Sequence, residues 1–249
     1  METIIVKIWS ESLTHFETSQ KIELLTEWIA QKIREWVRVL LVTSGAVQFG
    51  RKHSSQTENK QVLAAVGWPH LIHAYAEKFW QKNINVASFL VTHADIEDYQ
   101  ERARTFTETI EATWDAGILP IVNENDPIST EEMREVGRWA DNDKNALLIA
   151  RLFYANKIIL ITNTNGVYRN PNNPDSRIQK IDASELTETS INSLCSGKSI
   201  AWTGGMNSKL SVAREAGKSG IITHISNGID SWIHDLNSGW TTIVPENLK

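Results

Sequence analysis

Two lysines and a glycine-containing turn are the residues of this sequence best suited to bind an anion. Lys7 ends a β-rich run at the N-terminus, and Lys209 follows the turn Thr203–Met206 (TGGM) at the start of a helical pattern. Exposed N–H groups and the helix dipole make such a turn a ready anion site. Phosphoryl transfer depends mainly on charge neutralisation and in-line positioning. We therefore expect the two lysines, with a metal ion, to flank a polyphosphate.

A second group of polar residues is suited to a small polar ligand. Asp126 ends the segment Asn-Glu-Asn-Asp after an apolar run, and Asp141, Asn142 and Asp143 come together before a helical pattern. Carboxylate and amide groups can recognise such a ligand, position Mg²⁺, or do both. The residue types leave these alternatives open.

Each signal also has an ordinary structural explanation when it is taken alone. A lysine after a strand is usually a solvated charge, and a Thr-Gly-Gly turn is usually only a turn. An Asp-Asn-Asp run before a helix is often just a cap. Their joint position after successive predicted strands favours a functional site over these explanations.

The apolar pattern predicts alternating strands and helices that would bring these residues together. Strands are predicted at 3–8, 39–43, 86–91, 118–122, 157–162 and 220–224, and helices at 21–37, 60–82, 95–115, 143–154 and 207–216. Asp95 is the expected N-cap of the third helix, and Gly117 and Gly217 are expected at the ends of two helices. This alternation predicts an α/β protein with a mainly parallel central sheet of about eight strands, sandwiched by helices. Ligands of such sheets bind at the carboxyl ends of the strands.

The composition excludes several other classes of protein. The 249 residues are 41% hydrophobic and 22% charged, which is an ordinary globular balance. A net charge of −5 without a basic run argues against nucleic-acid and membrane-surface partners. One cysteine, Cys195, excludes an intramolecular disulfide. The sequence contains neither a signal-peptide pattern nor an apolar run of membrane-spanning length, so we expect a cytoplasmic protein.

Five segments resemble the glutamate 5-kinases, the γ-glutamyl kinases of proline synthesis, within the amino-acid kinase superfamily. They are LVTSGAVQFGR at 41–51, KQVLAAVG at 60–67, ILPIVNENDPI at 118–128, DND at 141–143 and TGGMNSKL at 203–210. The segments occur in the family's order and spacing over nearly the whole chain. Asn-Glu-Asn-Asp is the most specific, because it separates this family from aspartate, acetylglutamate and uridylate kinases. Many members add a C-terminal PUA module, and this chain resembles the short form without it.

The resemblance implies an activity and an organisation. ATP would phosphorylate the γ-carboxylate of L-glutamate to glutamyl 5-phosphate, the first step of proline biosynthesis, with Mg²⁺ as cofactor. A single amino-acid kinase domain would span 1–249, with a glutamate-binding lobe over about 1–155 and a nucleotide-binding lobe over about 156–249. The family implies a homodimer or homotetramer and leaves open proline as a feedback ligand.

The resemblance also assigns roles to individual residues by position. The catalytic matches are Lys7, Lys209 and Asp143, and the substrate-binding matches are Ser44, Gly45, Asp126 and Asn142. The nucleotide-binding matches are Lys7, Thr162, Asn163, Thr203, Gly204, Gly205, Met206, Asn207, Ser208 and Lys209. No residue is assigned as a metal ligand.

Tryptophans replace other residues within the matching motifs. Trp9 and Trp202 stand where the family has glycine beside the phosphates, Trp68 and Trp139 replace other motif residues, and Asn163 replaces an aspartate. Glycine in a phosphate loop allows close backbone approach. Trp9 therefore points away from the phosphates, fills their site, or forms one wall of a changed pocket. Two functions follow: an active glutamate 5-kinase, and a non-catalytic relative that binds an amino acid or a partner chain and regulates.

Overall fold

The computed structural model describes residues 1–9, 20–128, 141–170, 172–195, 205–227 and 239–246. The predictions for Trp139, Trp202, Thr203 and Gly204, and for the Asp141 side chain, lie outside this part of the chain.

Strands and helices alternate along the chain. The strands are β1 (Thr3–Ile8), β2 (Arg38–Val42), β3 (Val86–Val91), β4 (Leu119–Glu124), β5 (Lys157–Ile161), β6 (Val167–Tyr168), β7 (Arg177–Ile178), β8 (Lys180–Asp182), β9 (Ile222–Ser226) and β10 (Thr241–Val244). The helices are α1 (Gln20–Arg34), α2 (Ala46–His53), α3 (Lys60–Trp80), α4 (His93–Glu97), α5 (Gln100–Asp115), α6 (Asp141–Leu152), α7 (Glu188–Cys195) and α8 (Gly205–Lys218).

One eight-stranded sheet forms the centre, in the order β3-β4-β2-β1-β5-β9-β10-β8. All neighbouring strands in it are parallel except β9 and β10, which are antiparallel. The predicted mainly parallel sheet flanked by helices is therefore confirmed. Strands β6 and β7 form a separate small antiparallel pair.

The central strand β1 divides the apolar core into two halves. Ile4, Val6 and Ile8 pack on one face with residues of α1 and α3, whereas Ile5 packs on the other face with residues of α6 and α8. Successive side chains of a strand point to opposite faces. Lys7 therefore lies on the same face as Ile5, toward α6 and α8.

The predicted helix over 95–115 is wrong, because two helices occupy this region. Thr92 caps α4, and its backbone N–H donates to the Asp95 carboxylate at 2.8 Å in a capping box. Asp95 is thus the third residue of α4 and not an N-cap. The helix ends at Glu97, and α5 begins at Gln100.

The prediction that Gly217 ends a helix is also wrong, because α8 runs one residue past it. A methyl group on Gly217 would lie 2.2 Å from the Ala183 Cβ, so close packing explains this glycine. Gly220, with φ +76°, lies in the turn after α8. Gly117 follows α5 as expected, with φ +69°.

Helices α2 and α3 pack backbone to backbone beside the carboxyl end of β2. A methyl group on Gly67 of α3 would lie 1.8 Å from the Ala46 carbonyl oxygen at the start of α2. Only a residue without a side chain permits this approach. The contact fixes the beginning of α2, directly after Ser44 and Gly45. None of the helices in the described ranges is long and apolar enough to cross a membrane.

Candidate active site

A buried carboxylate joins two buried lysines on one face of the sheet. Lys7 Nζ lies 2.6 Å from Asp143 Oδ1, and Lys209 Nζ lies 3.4 Å from Asp143 Oδ2. The lysine side chains are 1% exposed and the aspartate is fully buried. The structure thus brings together the three residues that the sequence predicts as catalytic.

Each member of this cluster comes from a different element. Lys7 extends from β1, Asp143 is the third residue of α6, and Lys209 lies in the second turn of α8. Ser208 Oγ also donates to Asp143 Oδ2 at 2.9 Å. The carboxylate therefore links the strand to both helices that cover this face of the sheet.

The cluster carries more positive than negative charge. Burial by itself would raise the pKa of Asp143, but the ammonium groups of Lys7 and Lys209 hold it below its usual range, so the group is a carboxylate. Burial lowers the pKa of Lys209 to about 8, against the attraction of Asp143 and assisted by repulsion from Lys7. With both lysines protonated, two cations share one anion. A buried surplus of positive charge is costly unless an anion joins it.

The indole of Trp9 lies over the ammonium of Lys209. The Lys209 Nζ is 5.0 Å from the centre of the ring, which is within the range of a cation–π contact. Trp9 follows β1 and is partly buried. The indole of Trp9 therefore faces Lys209. The sequence flagged Trp9 as a departure but did not predict this contact.

The residues predicted to bind substrate lie at the carboxyl ends of neighbouring strands. Ser44 follows β2, and its Oγ donates to the Ile8 carbonyl at the end of β1. Gly45 has φ +106°, a backbone conformation that favours glycine, and precedes α2 directly. Asp126 lies in the turn two residues after β4. The convergence of these residues on one ligand stays a prediction.

The side chain of Asn142 has a defined orientation. Its Oδ1 accepts a hydrogen bond from the Glu124 backbone N–H at 3.1 Å. Because the carbonyl oxygen is bound in this way, the amide group presents its NH₂ as donor to any ligand. An NH₂ donor suits a carboxylate substrate.

Two residues beside Asn142 hold the start of α6 against β4, and sequence reasoning missed them. Asn145 Nδ2 donates to Glu124 Oε2 at 2.6 Å, and the Glu124 side chain is only 5% exposed. Glu124 therefore binds α6 through both its backbone and its carboxylate. In the sequence, the only signal for Glu124 was its position within the segment Asn-Glu-Asn-Asp.

Asn123 was also missed as a candidate ligand-binding residue. It is 1% exposed, and its buried Oδ1 has no hydrogen-bond partner among the residues that the structure describes. Buried carbonyl oxygens are rarely left unpaired in proteins. Asn123 thus offers an acceptor at the end of β4, next to the substrate candidates.

Apart from the two lysines, the described residues that are predicted to bind the nucleotide follow β5 or form the start of α8. Thr162 follows β5, and its carbonyl oxygen accepts a hydrogen bond from Lys21 Nζ at 3.2 Å. Burial lowers the pKa of Lys21, a lysine that the sequence did not single out. Asn163 comes next along the chain, where the family's carboxylate is absent. Gly205, Met206, Asn207 and Ser208 form the first turn of α8.

The described residues do not form a protein-ligated metal site. No group of three or more His, Cys, Asp and Glu side chains in the described ranges is arranged around a common point. Asp143 is already held by two lysines and Ser208. Mg²⁺ is commonly bound through substrate phosphates and water with few protein ligands.

The fold and the cluster define a class of protein: a mainly parallel sheet covered by helices, in which two buried lysines share one buried carboxylate. The chain belongs to the amino acid kinase family, whose model matches residues 2–227.

Curated relatives with similar sequences are glutamate 5-kinases. That of Haemophilus influenzae (strain PittGG) is 34% identical over 238 residues, and that of Photorhabdus laumondii is 35% identical over 243 residues. Each match covers 91% of this chain and 63% of the relative. The chain thus spans less than two thirds of the length of these relatives.

Solved structures with the same fold are more distant in sequence. Carbamate kinase from Giardia lamblia bound to AMP-PNP has a TM-score of 0.67 at 14% identity, with 98% of both chains covered. N-acetylglutamate synthase from Neisseria gonorrhoeae has a TM-score of 0.69 at 17% identity, covering 99% of this chain and 60% of that one. These similarities show the amino-acid kinase fold.

Proposed function

We propose that this chain transfers the γ-phosphoryl group of ATP to the γ-carboxylate of L-glutamate, giving glutamyl 5-phosphate and ADP. The observation that carries the proposal is the pair of buried lysines sharing one buried carboxylate, Asp143. Two anions must meet in this reaction, and their repulsion requires cations that are already in place. The glutamate 5-kinase relatives support the choice of substrate.

In this proposal the two lysines stabilise the charge that moves during transfer. Lys7 and Lys209 approach from a strand and a helix on the same face, so they can contact different oxygens of the transferring group. Asp143 pairs with both ammonium groups and fixes their directions. Preorganised charges of this kind need no rearrangement during the reaction, which is the main source of their catalytic effect.

The glutamate would be held at the ends of β2 and β4. Asp126 pairs with the α-ammonium of the substrate, and the Asn142 NH₂ donates to a carboxylate. Ser44 and the positive-φ turn at Gly45 close the site beside the N-terminus of α2. The orientation of Asn142 by Glu124 supports this arrangement.

ATP would lie against α8 and the end of β5. Gly205, Met206, Asn207 and Ser208 present the first turn of α8, and Thr162 and Asn163 follow β5. Thr203 and Gly204 complete the nucleotide segment in this proposal. Mg²⁺, bound with the phosphates of the nucleotide, would supply further neutralisation of their charge.

Four further proposals follow from the sequence and the family. They are a cytoplasmic location, a homodimer or homotetramer, sensitivity to proline, and a division into a glutamate lobe (about 1–155) and a nucleotide lobe (about 156–249). Strands from both lobes pair in one sheet, since β1 lies beside β5.

A coupled assay of ADP release tests the proposal. Purified chain with ATP and Mg²⁺ is offered L-glutamate, L-aspartate and N-acetyl-L-glutamate in parallel. We expect release that depends on L-glutamate and is at least tenfold faster than with the other two acceptors. Calorimetry that shows binding of ATP and glutamate without any ADP release would instead support the non-catalytic relative.

A further inference from the structure

Trp9 contacts two elements that are attractive to an anion. Its ring lies 5.0 Å from Lys209 Nζ. Its outer edge also lies over the start of α8, because a methyl group on Gly205 would be 3.5 Å from the indole Cη2. The first residues of a helix and a lysine beside them are both attractive to phosphate.

The contacts that the Lys209 ammonium already makes limit where an incoming anion can bind it. Nζ donates to the Gly205 carbonyl at 3.1 Å and lies 3.4 Å from Asp143 Oδ2. An ammonium has three N–H donors. Among the described residues, two of these donors therefore point to oxygens, and the indole is the third contact of the ammonium.

We propose that Trp9 is a built-in competitor for the phosphate site, and that an anion binds Lys209 by exchanging with the indole. This inference rests on the proposed function, because it takes Lys209 as a phosphate ligand. The oxygens of Asp143 and Gly205 belong to the framework of the cluster, whereas Trp9 is only partly buried. The indole is therefore the partner whose removal disturbs the cluster least.

Exchange with the indole is predicted to weaken the binding of phosphate. A cation–π contact in a buried setting is lost when the indole leaves, and a charge-assisted hydrogen bond to phosphate replaces it. The net affinity for phosphate is therefore weaker than it would be with a residue that offers no π face. Tryptophan binds a cation more strongly than phenylalanine does, and leucine offers no such contact.

Fluorine NMR of the intact chain tests the exchange directly. All ten tryptophans are replaced by 5-fluorotryptophan, and the Trp9 resonance is identified by its absence in Trp9→Phe. We expect inorganic tripolyphosphate, and separately AMP-PNP with Mg²⁺, to shift this resonance. Trp36 and Trp80 serve as internal controls. They are 80% and 73% exposed and precede β2 and β3, so they lie near the amino ends of the strands, away from the cluster. A Trp9 resonance that does not move while the anion binds overturns the proposal.

Calorimetry of tripolyphosphate binding gives a second, independent readout. We expect the affinity to rise in the order wild type, Trp9→Phe, Trp9→Leu, with roughly a tenfold difference between the first and the last. Because Phe keeps an aromatic ring and Leu keeps an apolar wall, the order separates the cation–π contact from simple packing. Equal affinity in all three chains, or tightest binding by the wild type, overturns the proposal.

The two readouts separate this inference from the proposed function. Tripolyphosphate binding requires neither glutamate nor turnover, so the predicted order can hold in a chain that phosphorylates nothing. Conversely, a chain that phosphorylates glutamate normally, with a silent Trp9 resonance and unchanged affinity in Trp9→Leu, retains the function and loses the inference. Absence of anion binding in all three chains overturns it as well.

Discussion

Asp143 Oδ1 lies 2.6 Å from Lys7 Nζ, in a contact where neither side chain is more than 1% exposed. A second buried lysine, Lys209, approaches the other carboxylate oxygen. Ion pairs at a protein surface contribute little to stability, but a buried charge without its partner is costly. The cluster therefore has to be intact for the chain to fold well, and its surplus of positive charge is then available to a substrate.

Asp143→Asn should destabilise the protein, because two buried ammonium groups lose their shared counterion. A loss of about 3–5 kcal/mol in the free energy of unfolding is typical of a broken buried pair. Urea denaturation followed by circular dichroism measures it. Asp175→Asn, at an exposed position, is the matched control.

The same carboxylate should contribute to the acid sensitivity of the fold. Its pKa is lowered in the folded state, so its stabilisation is present above the unfolded pKa of about 3.9 and is lost as the pH falls further toward the folded pKa. The stability of Asp143→Asn should therefore fall less steeply over this acid range than that of the wild type. Identical slopes for the two chains would contradict the assignment.

Lys7→Met and Lys209→Met should lower kcat by on the order of a hundredfold or more, with a smaller effect on the KM for glutamate. Loss of one transition-state charge contact is typically worth a few kcal/mol. Steady-state kinetics of ADP release measures both constants. Near-normal turnover in Lys209→Met would remove Lys209 from the mechanism.

The activity should fall as the pH rises through about 8, because burial lowers the pKa of Lys209 to that value and only the protonated amine carries charge. Lys209→Arg keeps its charge to much higher pH, so whatever activity it retains should decline at a higher pH than in the wild type. Lys144→Arg, on α6 but paired with Glu97 at the surface, should leave the profile unchanged. An alkaline limit that is the same in the wild type and Lys209→Arg would assign the titration to another group.

Asp126→Ala should raise the KM for glutamate by at least tenfold and change the KM for ATP little. The reason is the loss of the carboxylate that would pair with the substrate α-ammonium, since hydrogen bonds and pairs with charged groups are among the stronger contacts. Asp98→Ala, exposed at the end of α4, is the control. Equal increases in both constants would show that Asp126 supports the fold and not recognition.

Gly67→Ala should destabilise the protein by a few kcal/mol, because the new methyl group would lie 1.8 Å from the Ala46 carbonyl oxygen. Gly117→Ala is a useful comparison. Its methyl group would meet nothing within 4 Å, so only the strain of φ +69° remains, at about 1 kcal/mol. Thermal unfolding of the two variants should therefore differ clearly, and similar midpoints would contradict the close approach of α2 and α3.

Much of the fold could be predicted because parallel strands buried on both faces are continuous apolar runs. β1, β2 and β5 have this pattern, and their predicted bounds agree with the structure to within a residue. The short strands β8 and β10 carry no comparable signal, since their pairing depends on contacts between distant parts of the chain. The start of α4 was missed because the capping box at Thr92 was not recognised. The break before α5 was missed because its N-cap, Tyr99, makes no side-chain capping hydrogen bond.

From the sequence, the candidate site could be predicted only through residues that follow predicted strands or stand within the family's motifs. Lys7, Asp143 and Lys209 were found because each stands at a position of the family pattern. Glu124, Asn145 and Ser208 position other residues through contacts that only the folded chain shows. The Trp9 contact is of the same kind, since β1 and α8 are about 200 residues apart in sequence yet adjacent in space.

The most direct test of the account is whether the chain makes an acyl phosphate on glutamate. Wild-type chain, ATP, Mg²⁺ and L-glutamate are incubated with hydroxylamine, which converts the acyl phosphate to a stable γ-hydroxamate that is measured by mass spectrometry. The account predicts glutamyl γ-hydroxamate that requires both ATP and glutamate and falls about a hundredfold or more in Lys209→Met. No hydroxamate from a wild-type chain that binds both ligands would contradict it.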